Sequence, residues 1–146
     1  MSIESKLEDD VIAFLKAQVT QLANKSVEAY AGQNPEEWAN NRVVTDPACM
    51  VHVGEHSINL EDEAQQFLLQ SDTEFFIYIK GRNIRSHDET RDDIYTILQT
   101  IRNALHGVRV GGVMFMLQQQ GPAYIDTRLS IYFQKYLVNL NLINRG

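Results

Sequence analysis

Apolar residues recur every three or four positions near the start of the chain. This spacing is typical of an amphipathic helix. Acidic residues cluster at positions 4–10, where the positive end of a helix dipole favours anions. We therefore predict a helix over residues 3–23 that packs on a sheet, with binding to a partner as the alternative for its apolar stripe. Its apolar stripe consists of Ile3, Leu7, Val11, Phe14, Leu15, Val19 and Leu22.

Strand patterns occupy the next part of the chain. Residues 26–30 predict a short strand, and residues 48–55 alternate between apolar and polar positions, which is typical of a strand with one buried face. Residues 64–72 fit either a strand or a short helix, and we favour the strand. The run from Glu74 to Lys80 is apolar on both faces, which predicts a central strand.

A turn and a second helix are predicted after the central strand. Gly81 and Asn83 tolerate positive φ, so the turn is placed there. Ser86 and Glu89 have the spacing of a capping box, and Gly107 is positioned to end the helix. The apolar stripe of this helix consists of Ile94, Leu98, Ile101 and Leu105.

Two further strands complete the predicted fold. Gly111 and Gly112 precede a strand over 113–118, Gly121-Pro122 predicts the next turn, and residues 124–137 alternate again. The predicted order is α-β-β-β-α-β-β. This order favours one α+β domain over residues 1–146, with an antiparallel or mixed sheet and two main helices packed on one face.

Composition agrees with a single globular domain. A chain of 146 residues is long enough to bury roughly two-thirds of its unfolded surface. Cys49 is the only cysteine, which excludes a disulfide within the chain, and its place in a strand pattern predicts a buried residue. The N-terminus lacks the pattern of a secretory signal, and no apolar run has the length of a membrane span. We expect a soluble protein made in the cytoplasm.

The charge is negative and uneven along the chain. The formal net charge of −6 argues against a protein that grips nucleic acid through phosphate contacts. Residues 1–74 hold 14 acidic and 4 basic residues, whereas residues 75–146 hold 5 and 9. The two halves therefore carry −10 and +4. This split fits either scatter over a solvated surface or copies that attract one another head to tail.

The sequence shows no recognised catalytic or ligand motif. Glycine-rich phosphate loops and the G-x-S-x-G elbow are absent. Asp46-Pro47 resembles part of a nuclease motif, but Tyr78 stands where the second acid would precede Lys80. His52 and His56 lie near acidic residues without a known metal-binding spacing. We expect no enzymatic activity, no cofactor and no metal.

Taken together, these segments resemble the Mu-like bacteriophage and prophage tail protein family, whose members resemble the tail terminators of long-tailed phages. One matching block is F-x-I-x-x-x-G-R-N, from Phe75 to Asn83, and a second is I-Y-x-I-L-x-x-I-R-x-x-L-x-G, from Ile94 to Gly107. The N-terminal helix, the strand at Val51 and the aromatic C-terminal strand also match. The likeness spans most of the chain, except for the loops at 31–47 and 54–66.

The resemblance implies a structural protein of the virion tail, assembled in the host cytoplasm. Such terminators form a homohexameric ring on the finished tail tube, stop its polymerisation and offer a surface to the head or neck. The implied partners are further copies of the chain, the tail tube protein, the neck and, in a contractile tail, the sheath. DNA would pass through the ring without specific binding, and no membrane is involved.

Four residues are candidates for the assembly interface. Lys80, Arg82 and Arg85 lie at the predicted turn between strand and helix, and Trp38 is an aromatic anchor in a polar stretch. Solvation of the turn and local packing of the tryptophan explain the same residues without an interface. Two other functions stay open: a neck or head-completion protein of the same virion, and a small cytoplasmic ligand-binding or enzymatic domain.

Overall fold

A computed structural model describes residues 2–30, 37–38, 47–58, 69–82 and 87–143. Residues 37–38 are helical, and the principal elements of the described ranges are two long α-helices and six strands. They are α1 (Ile3–Gln18), β1 (Val27–Ala29), β2 (Ala48–Ser57), β3 (Gln70–Arg82), α2 (His87–Leu105), β4 (Val108–Val110), β5 (Val113–Ile125) and β6 (Leu129–Asn141).

The strands form one mixed sheet in the order β1-β2-β3-β6-β5-β4. β1 runs parallel to β2, and the other neighbours are antiparallel. The predicted α+β class and order of elements are confirmed. The short strand β4 was not predicted from the sequence. β3 lies inside the described sheet, as its two apolar faces predict.

Both helices cover the same face of the sheet. The predicted stripes supply buried residues of one core, from Leu7 to Leu22 in the N-terminal segment and from Ile94 to Leu105 in α2. The N-terminal apolar stripe extends beyond the end of α1, because it continues into a short 3-10 helix at Thr20–Leu22. The sheet contributes residues that alternate along each strand, including Cys49, Val51, Phe75, Ile77, Ile79, Tyr132 and Tyr136. The buried position predicted for Cys49 is confirmed.

The predicted turn does not begin at Gly81, and its other turn residue, Asn83, lies outside the described residues. Gly81 belongs to β3, pairs with Ser130 and is buried. A Cβ atom at this position would lie 2.9 Å from Thr90 Cγ2 and 3.2 Å from Ile94 Cδ1. Glycine is therefore required because α2 crosses the strand closely here, and positive φ plays no part.

The turn predicted at Gly121-Pro122 is wrong. β5 runs through both residues, and the hairpin to β6 falls at residues 126–128. Within the described chain, β4 pairs with β5 only from Val113 to Phe115. Proline is tolerated in β5 because the outer side of the strand needs no further ladder hydrogen bonds there. A register irregularity between Pro122 and Tyr124 accommodates it.

Several predictions concern residues outside the described ranges. The capping serine Ser86 and residues 64–68 belong to this group. Neither described helix offers an apolar stretch sufficient to span a bilayer.

Candidate assembly surfaces

The structure describes three of the four predicted interface residues. Lys80 and Trp38 are both fully buried, so neither presents a surface to a partner in this structure. Arg82 ends β3 as an exposed residue, and its backbone oxygen accepts a hydrogen bond from Thr90 Oγ1 at 3.1 Å. Arg85 lies outside the described residues. Of the four, Arg82 is the one described with an exposed side chain.

Trp38 covers one end of the sheet face that points away from the helices, which we call the open face. Its ring belongs to a small core with Ala48, Met50, Leu129 and Ile131, and its Nε1 donates a hydrogen bond to Glu28. Lys80 pairs across the sheet with Ala48 and Ile131 of this core. Trp38 is thus a local packing anchor, which was the alternative to an interface role for this residue.

The middle of the open face has an aromatic belt formed by Tyr30, His52, Phe76, Tyr78 and Phe133. Neighbouring ring centroids are 4.5 Å apart for Tyr30 and His52 and between 6.0 and 6.5 Å apart for the other contacts. Tyr30 is 39% exposed, and the other four rings are partly exposed. Burial lowers the pKa of His52, so its ring is neutral at pH 7 and packs as an aromatic group.

Beyond the belt, the open face combines an ion pair with exposed methionines. Lys135 Nζ lies 3.3 Å from Glu74 Oε2. Met114 and Met116 of β5 are 41% and 43% exposed. A partly apolar sheet face with flexible methionines is typical of a contact surface.

Strands β5 and β6 diverge at one end of the sheet. Their pairing in the described chain ends at Met116 and Leu137, although β6 continues to Asn141 alongside β3. The first residues of β5 pair with β4 instead, across the Gly111-Gly112 turn. Both glycines have positive φ, as a two-residue hairpin turn of this kind requires.

The divergence opens a cleft of about 520 Å³, which we call the splayed cleft. Among the described residues, its lining includes one cation, three side-chain amides and no carboxylate, and an apolar group forms part of the wall. The lining residues are Ile3, Gln70, Arg109, Gly111, Gly112, Val113, Met114, Asn139, Leu140 and Asn141. A smaller cavity of about 210 Å³ adjoins it and includes Lys6 and Asp10 in its lining.

Backbone groups of both diverging strands face the splayed cleft. The amide of Leu117 donates outward to His106 Nδ1 at 2.9 Å, and the oxygen of Phe115 accepts outward from Gly107. Because backbone groups alternate in direction along a strand, those of Met114 point toward β6. The amide of Leu142 donates a hydrogen bond to the Leu69 oxygen on the β3 side. By the same alternation, the N–H and C=O groups of Asn139 and Asn141 point toward β5.

One cluster resembles catalytic machinery by its functional groups. His56 Nδ1 lies 2.7 Å from Thr73 Oγ1, and His56 Nε2 lies 3.4 Å from Glu4 Oε1. A hydroxyl, an imidazole and a carboxylate in a row are the groups of a hydrolase triad. Thr73 has no exposed surface, so the contacts join α1 to the sheet and leave its hydroxyl inaccessible to substrate.

Other reactive groups are also held in structural roles. Burial raises the pKa of the Cys49 thiol far above its ordinary range, which suppresses the nucleophilic thiolate. The Glu8 carboxylate accepts a hydrogen bond from the Val53 amide at 3.0 Å, and burial raises its pKa. Within the described ranges, no three His, Cys, Asp or Glu side chains come close enough to hold a metal ion.

No protein-family model matches the chain, and no curated protein matches its sequence. The case for a function therefore comes from the surfaces described above and from the residue patterns. The splayed cleft was not predicted from the sequence. The one local signal was Gly111-Gly112, which marks a hairpin but does not show that β5 leaves β6.

Proposed function

We propose that this protein is a structural phage or prophage tail protein that caps the tail tube as a homohexameric ring. The cap ends tail polymerisation and offers the joining surface for the head or neck. The proposal rests on the sequence blocks at 75–83 and 94–107, together with a fold whose exposed features suit contacts between proteins.

The observation that carries the proposal is the open face of the sheet. Both helices pack on the opposite side, which leaves the aromatic belt partly exposed and two methionines of β5 more than 40% exposed. Aromatic and methionine side chains are enriched at protein interfaces. A surface of this kind favours association over the binding of a small polar substrate.

A second supporting feature is the sidedness of the molecule. Residues 1–74 supply α1, β1, β2 and the start of β3, whereas residues 75–146 supply the rest of β3, α2, β4, β5 and β6. β1 and β2 lie toward one edge of the sheet, and β5 and β4 lie toward the other edge. Two unlike edges suit a heterologous contact, which generates a ring when the rotation closes.

The direct test measures the mass of the purified protein by light scattering and its shape by electron microscopy. We expect a particle of about six times the 16.7 kDa chain mass, with a central opening. Tail tubes of the phage or prophage that encodes the chain are then grown with and without it. We expect shorter tubes, each with one ring at a single end.

A tube preparation grown with bovine serum albumin at the same mass concentration serves as the control. A chain that stays monomeric at all concentrations and leaves tube length unchanged would contradict the proposal. Rings that bind the head or neck side but never the tube tip would indicate a neck protein of the same virion instead of a terminator.

A further inference from the structure

We propose that the splayed cleft is the acceptor half of the contact between two copies of this chain, and that the end of β2 is the donor half. This inference rests on the ring of the proposed function and names its contact. Glu55–Ile58 of one copy would add as an extended segment to the β6 edge of the next copy.

The acceptor half has backbone groups that an extended segment of another copy can pair with. Asn139 and Asn141 on the β6 wall direct their N–H and C=O groups into the cleft, at the positions that a neighbouring strand would satisfy. The amide side chains of Gln70 and Asn139 lie beside them. Strand addition satisfies such groups through main-chain hydrogen bonds.

The donor half is already extended and exposed. β1 pairs with β2 only from Cys49 to Val51, so in the described chain the later residues of β2 have a strand neighbour on the β3 side alone. Glu55 and Ser57 are exposed, and Ile58 is 39% exposed despite its apolar side chain.

Charge and polarity match the two halves. Within the part of the lining that the structure describes, Arg109 is the one charged residue, and Glu55 supplies a carboxylate on the donor segment. Ile3, Val113 and Leu140 form an apolar part of the lining that fits the exposed Ile58. A carboxylate placed against an exposed guanidinium gives direction and register to a contact of this kind.

The positions of the two halves agree with a ring. The end of β2, the start of β3 and the end of β6 lie at the same end of the sheet, because β3 is antiparallel to both neighbours. β2 lies toward one edge, and the cleft lies toward the other edge. Copies placed side by side around an axis along the strands therefore bring a donor against an acceptor at every contact.

Charge reversal with rescue tests the pairing. We expect Arg109→Glu alone and Glu55→Arg alone each to weaken self-association, measured by sedimentation equilibrium, at least about tenfold because attraction becomes repulsion. The double variant should recover most of the loss. Lys16→Glu is the control, since this exposed residue lies in the last turn of α1, away from the cleft, and should leave association unchanged.

Hydrogen exchange separates strand addition from a simple charge contact. In the assembled protein we expect the amides of Asn139 and Asn141 to exchange at least about tenfold more slowly than in the protein dissociated by dilution. Circular dichroism of each variant shows whether it remains folded, and the exchange measurement on the unaltered chain does not depend on any variant.

The outcomes distinguish the two proposals. Rings that assemble equally well with Arg109→Glu, and whose cleft amides stay unprotected, overturn the donor and acceptor assignment while the ring itself stands. Assembly without rescue in the double variant also counts against the Glu55–Arg109 pair. A chain that is monomeric throughout removes both the ring and the contact.

Discussion

Gly81 shows how one residue type supports two different predictions. In the sequence, Lys80-Gly81-Arg82 follows a strand and precedes a helix, which is a common place for a turn. In the structure, Gly81 lies inside β3 under α2, where any side chain would meet Thr90 and Ile94. The sequence does not distinguish these roles, because the close approach depends on how the helix crosses the sheet.

We expect Gly81→Ala to destabilise the fold by about 1–3 kcal/mol, since the added methyl group forces α2 away from β3. The measurement is the free energy of unfolding from urea titration. Gly121→Ala is the matched control: a Cβ there would lie 3.8 Å from Phe133 Cε1, an ordinary contact, so its effect should stay within about 0.5 kcal/mol. Equal effects of the two substitutions would show that close packing at Gly81 is not the reason for glycine.

The interface residues illustrate a similar limit. A lysine at a predicted turn and a tryptophan in a polar stretch are ordinary candidates for contacts, yet Lys80 and Trp38 are fully buried. Alternation along β3 places Lys80 on the open face, but it does not reveal that the Trp38 core covers that end. Burial of this kind depends on contacts between segments far apart in the sequence.

At the scale of elements, the β5–β6 hairpin shows why a strong local signal was wrong. Gly121-Pro122 is a common turn pair, whereas the actual turn contains Asp126 and no glycine. Asp126 Oδ1 accepts hydrogen bonds from the amides of Arg128 at 2.7 Å and Leu129 at 2.8 Å. An aspartate that binds its own following backbone builds a turn without positive φ.

These amide hydrogen bonds lower the pKa of Asp126, and the bond from Arg128 has a larger effect than the bond from Leu129. A carboxyl group with a lowered pKa stabilises the fold above its unfolded pKa of about 3.9, and this contribution is lost as the pH falls through the folded value. We therefore expect Asp126→Asn to lower the urea midpoint at pH 7. The difference from the unaltered protein should shrink steadily below about pH 4.

Asp9→Asn, an exposed change on α1, is the control for the loss of one negative charge. It should not reproduce the pattern, since Asp9 has no described hairpin contact. A difference for Asp126→Asn that stays constant from pH 7 to about pH 2 would mean that the turn does not depend on the ionised carboxylate.

At the scale of the whole molecule, periodicity was enough to predict the fold class, because each apolar stripe has to be buried on a shared core. It was not enough to predict the splayed cleft. That cleft exists because β4 and the start of β5 approach α1, where a Cβ atom at Gly111 would lie 2.7 Å from Asp10 Oδ2. Contacts between the N-terminal helix and a distant hairpin have no local sequence signal.

The proposed pairing of Glu55 with Arg109 makes the contact between copies sensitive to salt. We therefore expect self-association to weaken as salt is raised from 0.1 to 1 M, where the screening length falls from about 10 Å to about 3 Å. Sedimentation velocity at fixed protein concentration measures this. Association that strengthens with salt would instead assign the contact to the apolar open face and Met114 and Met116, because salts that favour burial promote such contacts.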